Sequence, residues 1–321
     1  MLFCQACSFS NNRSNNLTIL RWCLIFGGSS VFRVGYPQEH GCAFRMSVSR
    51  TFARSMKPVL KIEDESMRGL AGRNAIVTGG ASGIGRALCQ RLDEEGCIVS
   101  VFDLNLEGAE KTVEAINAAG GRGAAFEVDI ASLDAVRAGV AASEEQHGPT
   151  EILVNNAGWD RIVPFLQSEP ELWKKVVDIN LYGPLNLHYA VLPGMVERGY
   201  GRVVNISSDA GRVGSSGEAV YSAAKGGIIS FTKTMARELA RSGIRLNTVC
   251  PGPTDTPLFA EVAGEGEVGQ KIAEGLRRAI PLKRLATLED YPGIVAFLAS
   301  DDAGFITGQT ISVSGGLTMH G

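Results

Sequence analysis

Apolar and polar positions follow two different periods along the chain from about residue 74 onward. Short runs of mostly aliphatic residues alternate with longer segments whose apolar positions recur at intervals of three and four. Each short run predicts a strand: Ala75–Thr78, Ile98–Phe102, Ala124–Val128, Ile152–Val154, Val203–Ile206, Leu246–Val249 and Thr310–Val313. Because these runs are apolar almost throughout, we expect both faces of their sheet to be covered.

The longer segments predict the helices that cover this sheet. They lie at Ile84–Glu94, Glu107–Ala119, Leu133–Glu145, Glu171–Arg198, Ala219–Arg241 and Leu288–Ala299. Pro292 stands near the beginning of the last segment and predicts a late or distorted helix start there. Seven strands that alternate with helices predict an α/β fold, a doubly wound (Rossmann-type) seven-stranded parallel sheet with helices on both faces, in a single domain. Such sheets bind ligands at the carboxyl ends of their strands.

Residues 1–66 differ from the rest and are predicted to lie outside the folded domain, which spans residues 67–321. Up to residue 57 the segment carries seven basic residues and one acid, Glu39. Three explanations remain open: a transit peptide, a disordered tail, or sequence upstream of a true start at Met46, Met56 or Met67. We therefore expect a cytoplasmic protein, or a mitochondrial one if the segment is a transit peptide.

Composition and charge argue against several classes of function. Hydrophobic residues make up 45% of the 321 residues and charged ones 20%, and the formal net charge is −3. These values are ordinary for a globular protein, and no basic excess points to nucleic acid or an anionic membrane as a partner. Cys4 and Cys7 form a CxxC without a second pair of ligands nearby, so we predict no metal site.

A glycine-rich turn follows the first predicted strand. Residues 78–85 read TGGASGIG, and a helix is predicted to begin directly after them. Glycines permit a tight turn and a close approach to a pyrophosphate, and the helix N-terminus presents free N–H groups to the phosphates. An ordinary strand–helix turn is the alternative. The pattern predicts a dinucleotide site that includes Gly79, Ser82, Gly83, Ile84 and Gly85.

Asp103 ends the second strand, 18 residues after Gly85. An acid at this distance is expected to bind the 2′-hydroxyl of the adenosine ribose, which selects NAD. A 2′-phosphate charge about 4 Å away would cost on the order of 4 kcal/mol. Arg86 is the one nearby cation, and it lies beyond the last glycine. The alternative role for Asp103 is a cap at the strand end.

The ends of the third and fourth strands add further cofactor candidates. Asp129, followed by Ile130, suits a hydrogen bond to the adenine amine, and a cap for the next helix is its alternative role. Asn156, Ala157 and Gly158 follow the fourth strand. Small residues at this place let the nicotinamide-side ribose lie against the backbone.

Pro251 and Gly252 form a turn after the sixth strand, over the expected nicotinamide. Thr254 and Thr256 come next and are placed to reach the carboxamide. From residue 253 to 278 the chain has four glycines and weak periodicity, which predicts a mobile lid. Four basic residues near its end suit either the phosphates of CoA or solvent: Arg277, Arg278, Lys283 and Arg284.

Tyr221 and Lys225 stand four residues apart in a predicted helix, on one face. A phenol exchanges protons near neutral pH only if its pKa is lowered, and an ammonium group one helical turn away is expected to lower it. The spacing alone is common in surface pairs. Its position after the fifth strand favours an acid–base centre.

Two polar side chains are predicted to complete this centre. Ser208 lies 13 residues before Tyr221, and its hydroxyl is expected to hold the substrate oxygen. Ser207, on the other face of the strand, is the competing candidate. Asn180 lies on the long fourth helix, where its amide would hold a water that passes protons to Lys225. Its alternative role is a polar residue that bends the helix.

Together these residues resemble the short-chain dehydrogenase/reductase family over about residues 68–321. The similarity rests on the TGxxxGIG loop, Asp103, the NNAG motif at 155–158, the PG turn and four catalytic positions. The resemblance implies a tetrad in which Tyr221 is the general acid/base, Ser208 orients the substrate, Lys225 binds the nicotinamide ribose and Asn180 holds the relay water. It also implies a homo-oligomer, a tetramer in the family, with NAD as the cofactor.

Several stretches are similar to the 2-hydroxycyclohexanecarboxyl-CoA dehydrogenases of alicyclic and aromatic acid degradation: residues 155–160, 191–198, 212–221, 249–256 and 300–321. This similarity implies NAD-dependent oxidation of a ring hydroxyl β to an acyl-CoA thioester. The alternatives are a 3-oxoacyl-ACP or acyl-CoA reductase, another short-chain alcohol dehydrogenase, and a non-enzymatic NAD-binding regulator. Asp103 counts against an NADPH-linked reductase, and the complete tetrad counts against a regulator.

Overall fold

The computed structural model describes residues 66–255 and 266–319 of the chain. Within them, seven parallel strands form one sheet in the order β3-β2-β1-β4-β5-β6-β7. The strands are β1 Asn74–Thr78, β2 Ile98–Asp103, β3 Arg122–Glu127, β4 Thr150–Asn155, β5 Gly201–Ile206, β6 Ile244–Pro251 and β7 Thr310–Val313. The predicted doubly wound, seven-stranded parallel sheet is confirmed.

Helices cover both faces of the sheet. They are α1 Gly83–Glu94, α2 Leu106–Ala118, α3 Leu133–His147, α4 Pro170–Val177, α5 Gly183–Arg198, α6 Ala210–Val213, α7 Ala219–Leu239, α8 Gly266–Ala279 and α9 Pro292–Ala299. Short 3₁₀ turns occur at Phe165–Gln167, Ala240–Ser242, Leu288–Asp290 and Asp301–Ala303. In the described part of the chain, no helix combines the length and apolarity needed to cross a bilayer.

Alternate residues of the central strand β1 belong to two separate apolar cores. Ala75 and Val77 pack with buried residues of α1 and α9, whereas Ile76 packs on the other side with buried residues of α3 and α5. All five residues of β1 are buried, which explains a strand sequence without polar alternation. β1 lies between β2 and β4, so the chain order reverses there and a ligand crevice is expected at its carboxyl end.

The single helix predicted over Glu171–Arg198 is interrupted. A π-turn at Asp178–Tyr182 separates α4 from α5. The side-chain amide of Asn180 donates to the Val176 carbonyl at 2.9 Å, which is the acceptor that the residue 180 N–H would use in a regular α-helix. The helix-bending role of Asn180 is therefore present, and π-turns of this kind are frequent at functional sites.

The last helix starts late, as Pro292 predicts. Thr287 and Asp290 form a capping box around a 3₁₀ turn, and α9 then begins at Pro292 itself. A proline at the first helical position costs little, because its missing N–H would have had no partner there.

The segment predicted as a lid contains α8, which the weak periodicity did not predict. Residues 256–265, including the cofactor candidate Thr256, lie outside the described residues. Two of the basic residues proposed for CoA phosphates make internal ion pairs: Arg278 with Glu274 at 3.0 Å, and Arg284 with Asp290 at 2.6 Å. Their charges are therefore already partly neutralised within the protein.

Candidate active site

Tyr221 and Lys225 lie on α7 at the carboxyl end of β5. Lys225 is buried, and its Nζ donates to the carbonyl of Ile206, the last residue of β5, at 3.1 Å. The same Nζ lies 5.6 Å from the centroid of the Tyr221 ring. The spacing of four residues thus brings the phenol and the ammonium group together on one helix face, as predicted.

The two candidate serines after β5 point to different partners. The Ser208 hydroxyl makes a hydrogen bond with Tyr221 and accepts one from the Ala210 N–H at 3.1 Å. The Ser207 hydroxyl is buried and donates to the Lys225 carbonyl at 2.9 Å. The structure therefore brings Ser208 to the phenol and uses Ser207 to hold α7 against the strand.

Asn180 is fully buried and fixes the segment that follows β4. Its Oδ1 accepts the Trp159 N–H at 3.3 Å, and its Nδ2 donates to the Trp159 carbonyl at 2.6 Å. A Cβ atom at Gly158 would lie 2.9 Å from Asn180 Oδ1 and 3.2 Å from Lys225 Nζ. The lack of a side chain at Gly158 therefore lets three elements meet. The role of Asn180 in holding a relay water stays a prediction.

Burial has the largest effect on the acidity of the Tyr221–Lys225 pair. It raises the pKa of the Tyr221 phenol, and the charge of Glu218 raises it further, whereas the hydrogen bond with Ser208 lowers it. Burial also lowers the pKa of Lys225 to about 8, against the opposing effects of Cys250 and Asp160. The sequence-based prediction of a net lowering of the phenol pKa is wrong for these residues by themselves.

Two carboxylic acids that sequence reasoning did not assign to the site lie beside Tyr221. Asp160 and Glu218 line one small cavity together with the tyrosine. Burial first and Glu218 second raise the pKa of Asp160 to about 6, while the Arg161 backbone N–H and Lys225 act to lower it. No local pattern marks them, because the two acids belong to different segments of the chain.

Apolar side chains form most of the remaining wall of this cavity: Val163, Phe165, Leu172, Trp173 and Val176. Phe165 stacks on Trp173 with ring centroids 4.9 Å apart. The Trp173 indole N–H donates to the Ser168 hydroxyl at 2.7 Å, so the ring is held by both a stack and a hydrogen bond. The cavity is suited to an apolar group next to the phenol.

The glycine loop joins β1 to α1 in the conformation that a phosphate site needs. Gly79 has φ +68°, and a Cβ atom there would lie 2.8 Å from the Ala157 Cα. A Cβ atom at Gly85 would lie 2.0 Å from the Gly79 carbonyl oxygen. Ser82 is the N-cap residue of α1, and its side chain makes no capping hydrogen bond. Gly83 and Ile84 begin the helix, so their N–H groups face the loop.

Thr78 connects this loop to the end of β4, and sequence reasoning missed its role. Its hydroxyl oxygen accepts the N–H groups of Asn156 and Ala157, both at 3.0 Å. The Asn156 side chain donates back to the Thr78 carbonyl at 3.0 Å. Asn156, Ala157 and Gly158 are thus held at the switch point beside the glycines, where the sequence predicted them.

Asp103 braces the glycine loop as well as capping its strand. Its two carboxylate oxygens accept the N–H groups of Ala81 and Asn105, each at 2.9 Å. Each oxygen keeps a further lone pair, so these contacts are compatible with a ribose hydroxyl as a third donor. The Arg86 guanidinium is bound by the Ala81 carbonyl and by Thr112 Oγ1, which holds it within the protein.

Asp129, which follows β3, does not have its alternative role as a helix cap. Asp129 is exposed and accepts the Ala131 N–H at 2.9 Å, while Ser132 caps α3. Asp129 is therefore not the helix cap. Ile130 is buried, and its carbonyl accepts the Asn186 side-chain amide at 2.9 Å.

Thr254, in the turn after β6, makes hydrogen bonds within the protein. Pro251 is the last residue of the strand, and the Gly252 N–H continues the pairing with β7. The Thr254 hydroxyl donates to the Gly252 carbonyl at 2.8 Å and also contacts the Tyr291 hydroxyl at 2.5 Å. The predicted reach of Thr254 to a carboxamide stays a prediction, and Tyr291 is a partner that the sequence did not indicate.

These features fit a dinucleotide cofactor. Close contacts exclude side chains at Gly79 and Gly85, so the backbone itself can approach a pyrophosphate. The α1 N-terminus adds N–H groups and the positive end of its dipole. Asp103 lies at the neighbouring strand end, 2.9 Å from the loop N–H at Ala81.

Comparison with known proteins covers the same region. A family model described as enoyl-(acyl carrier protein) reductase matches residues 79–318. The acetoacetyl-CoA reductase of Allochromatium vinosum is 40% identical over 250 residues, which is 77% of this chain and 99% of that protein. The 3-oxoacyl-[acyl-carrier-protein] reductase of Staphylococcus aureus is 39% identical over 248 residues, 77% of this chain and 98% of that protein.

A solved structure shares the architecture. The protein, described as a short-chain alcohol dehydrogenase from Sinorhizobium meliloti, is 32% identical with a TM-score of 0.73. The similarity covers 77% of this chain and 96% of that one. The range that the family model matches, residues 79–318, contains all four residues of the predicted tetrad.

Proposed function

This chain belongs to the short-chain dehydrogenase/reductase family, and from that premise we propose that it interconverts a β-hydroxyacyl thioester and the corresponding β-oxoacyl thioester with NAD(H). The observation that carries the proposal is the placement of Tyr221, Ser208 and Lys225 around one point at the carboxyl edge of the sheet, beside the glycine loop. The names of the two bacterial reductases support the β-oxoacyl class.

Tyr221, Ser208 and Lys225 have different roles in the proposed reaction. Tyr221 exchanges a proton with the substrate oxygen: its phenolate accepts the hydroxyl proton in oxidation, and its phenol donates to the carbonyl in reduction. Ser208, hydrogen-bonded to the phenol, orients the same oxygen. The buried ammonium group of Lys225 stabilises negative charge on the phenolate. A nicotinamide cofactor, when bound beside the glycine loop, would supply the hydride chemistry.

We propose NAD(H) as the preferred cofactor because Asp103 lies beside the glycine loop and Arg86 is held elsewhere. Asp103→Ser keeps an acceptor for the loop and removes the charge. The ratio of kcat/KM for NADP to that for NAD should rise about 10²-fold to 10³-fold. The control Asp129→Ser removes an exposed acid after β3 and should leave the ratio unchanged. A wild-type enzyme that prefers NADP would contradict this assignment.

The substrate class is tested by comparing thioesters with simple alcohols. One assay set contains 3-hydroxybutyryl-CoA and 2-hydroxycyclohexane-1-carboxyl-CoA with NAD, and cyclohexanol as the alcohol without a thioester. Binding energy from the CoA part should raise kcat/KM by about 10²-fold or more over cyclohexanol. Equal values for cyclohexanol would contradict a thioester substrate.

The same assay set separates linear from cyclic acyl groups. We propose that the stacked Phe165–Trp173 wall admits either a short chain or a ring. A preference of at least about tenfold, or roughly 1.4 kcal/mol, for 2-hydroxycyclohexane-1-carboxyl-CoA would assign the ring. The opposite preference would assign a linear 3-hydroxyacyl group, as in the acetoacetyl-CoA reductases.

We further propose a homo-oligomer, a tetramer as in the family. Tyr182, Tyr189 and Val196, along the π-turn and α5, are exposed, and exposed apolar side chains along one helix suit a subunit contact. The native mass measured by light scattering tests this. A monomer at micromolar concentration would contradict it.

A further inference from the structure

Asp160 and Glu218 approach Tyr221 from two different elements. Glu218 is the N-cap residue of α7 and stands one helical turn before Tyr221, with its carbonyl accepting the Ser222 N–H at 2.7 Å. Asp160 comes from the loop after β4. The fold brings the two carboxyl groups into one cavity with the phenol, although the acids are 58 residues apart in the chain.

The charge of Asp160 is only partly compensated within the protein. Asp160 lies in one cavity with Glu218 and Tyr221, and its Oδ2 is buried without a hydrogen-bond partner. Burial and the nearby charge of Glu218 raise the pKa of Asp160, whereas the Arg161 backbone N–H acts to lower it. When Asp160 is ionised, its negative charge therefore lies beside the phenol.

Other charged or titratable groups face this pair and the phenol from each neighbouring element. They are Lys225 on α7 and Cys250 on β6, and the Arg161 backbone N–H also contacts Asp160. Lys175 on α4 is exposed, and its Nζ lies 3.7 Å from the centroid of the Trp159 ring. Cys250 is uncharged near neutral pH because burial raises its pKa to about 11. Lys225 is the buried cation that opposes the two acids.

We propose that Asp160 and Glu218 are positioning residues for proton transfer, which hold negative charge beside Tyr221 and keep its phenol protonated as the proton donor of the reduction reaction. A phenolate close to a carboxylate is disfavoured by repulsion, and the cavity between them is mostly apolar. The effect of Glu218 on the Tyr221 phenol is second only to burial. The proposal rests on the proposed function for the identity of the reaction.

The charge of the pair depends on pH in a definite direction. Below its pKa of about 6 Asp160 holds its proton, and above this pH its carboxyl group is ionised. The repulsion that keeps Tyr221 protonated is therefore stronger above this pH. Oxidation, which requires the phenolate, should consequently gain rate only at higher pH, and removing one acid should move that rise to lower pH.

Two nearly isosteric variants, Glu218→Gln and Asp160→Asn, test the proposal in the full-length protein. In the pH profile of kcat for oxidation with NAD, the rising limb should move to lower pH by on the order of one unit in each variant. Glu218→Asp keeps the charge and should keep the wild-type profile. Glu145→Gln, an exposed acid on α3, is the matched control and should change nothing.

Infrared difference spectra between pH 5 and 8 detect the Asp160 proton without substrate or cofactor. We expect a protonated-carboxyl band in wild type that titrates near pH 6, is lost in Asp160→Asn and titrates at lower pH in Glu218→Gln. A wild-type protein without this band, or a rising limb that stays in place in both variants, would overturn the proposal. Inactivity with every β-hydroxyacyl thioester would count against the proposed function instead. The profile would then be recorded with cyclohexanol, and the infrared arm would be unaffected.

Discussion

The two edges of the sheet carry charged groups in different ways. At the amino ends of the strands, Arg73 pairs with Glu151, and Arg202 Nη2 lies 2.8 Å from Asp301 Oδ1. The Tyr200 ring lies between the two arginines, whose guanidinium carbons are 3.7 and 4.3 Å from its centroid. Each of these charged groups faces an opposite charge or an aromatic ring, although Arg202 Nε itself is buried without a partner, and such contacts stabilise a fold.

At the carboxyl ends, the charged groups are left with weaker partners. Lys225 is buried and donates to a backbone carbonyl, and Asp160 Oδ2 is buried without a partner. Burial without full compensation is what shifts the pKa values of Lys225 and Asp160. The difference indicates that one edge contributes to stability, whereas the other gives up stability for chemistry.

The largest expected effect is on activity at the carboxyl edge. Tyr221→Phe removes the proton-exchanging hydroxyl and should lower kcat by about 10³-fold, while the free energy of unfolding changes by about 1 kcal/mol or less. Steady-state NADH production and urea unfolding measure the two quantities. Tyr200→Phe removes a hydroxyl at the amino edge, which donates to Asp301, and should keep nearly full activity. Equal losses of kcat in both variants would contradict the difference between the two edges of the sheet.

The next largest effect is the pH dependence that Lys225 gives to the free energy of unfolding. The folded-state pKa of Lys225, about 8, lies below its ordinary value of 10.5, so the unfolded chain binds more protons between these values and stability rises with pH in that window. Below pH 8 the full cost of burying the ammonium group applies, on the order of 3 kcal/mol. Lys225→Met should therefore be more stable than wild type at pH 7, and this difference in stability should be smaller at pH 10.

Urea unfolding at both pH values checks this prediction. Lys233→Met, in the exposed part of α7, is the matched control and should give the same small difference at both pH values. A Lys225→Met protein that is less stable than wild type at pH 7 would show that the ammonium group is compensated after all.

The smallest effect is expected at the amino edge. Arg202→Met removes a buried cation that pairs with the partly exposed Asp301 and should lower the free energy of unfolding by about 2 kcal/mol, with kcat unchanged. The control Arg68→Met breaks an exposed pair with Asp302 and should cost less than about 0.5 kcal/mol. A drop in kcat for Arg202→Met at full folding would mean that the two edges are coupled.

Much of the site was predictable because its signals are local. The glycine loop, Asp103 and the Tyr221–Lys225 spacing each lie within one turn or one helix, and the alternation of strands and helices places them at one edge. The interruption at Asn180 was not predicted as a π-turn, because a side-chain amide and a backbone N–H compete there for one carbonyl. The role of Thr78 was not predicted, because the N–H groups that its hydroxyl accepts follow a different strand, β4.

The alternation of strands and helices, the glycine loop and the helix that carries Tyr221 and Lys225 could all be predicted from the sequence, since periodicity and turn chemistry act over a few residues. The packing of distant segments shows which serine lies beside the phenol, and that Asp160 and Glu218 share one cavity with it. It also decided the direction of the Tyr221 pKa. That direction depends on burial and on charges brought from distant parts of the chain, which no local pattern contains.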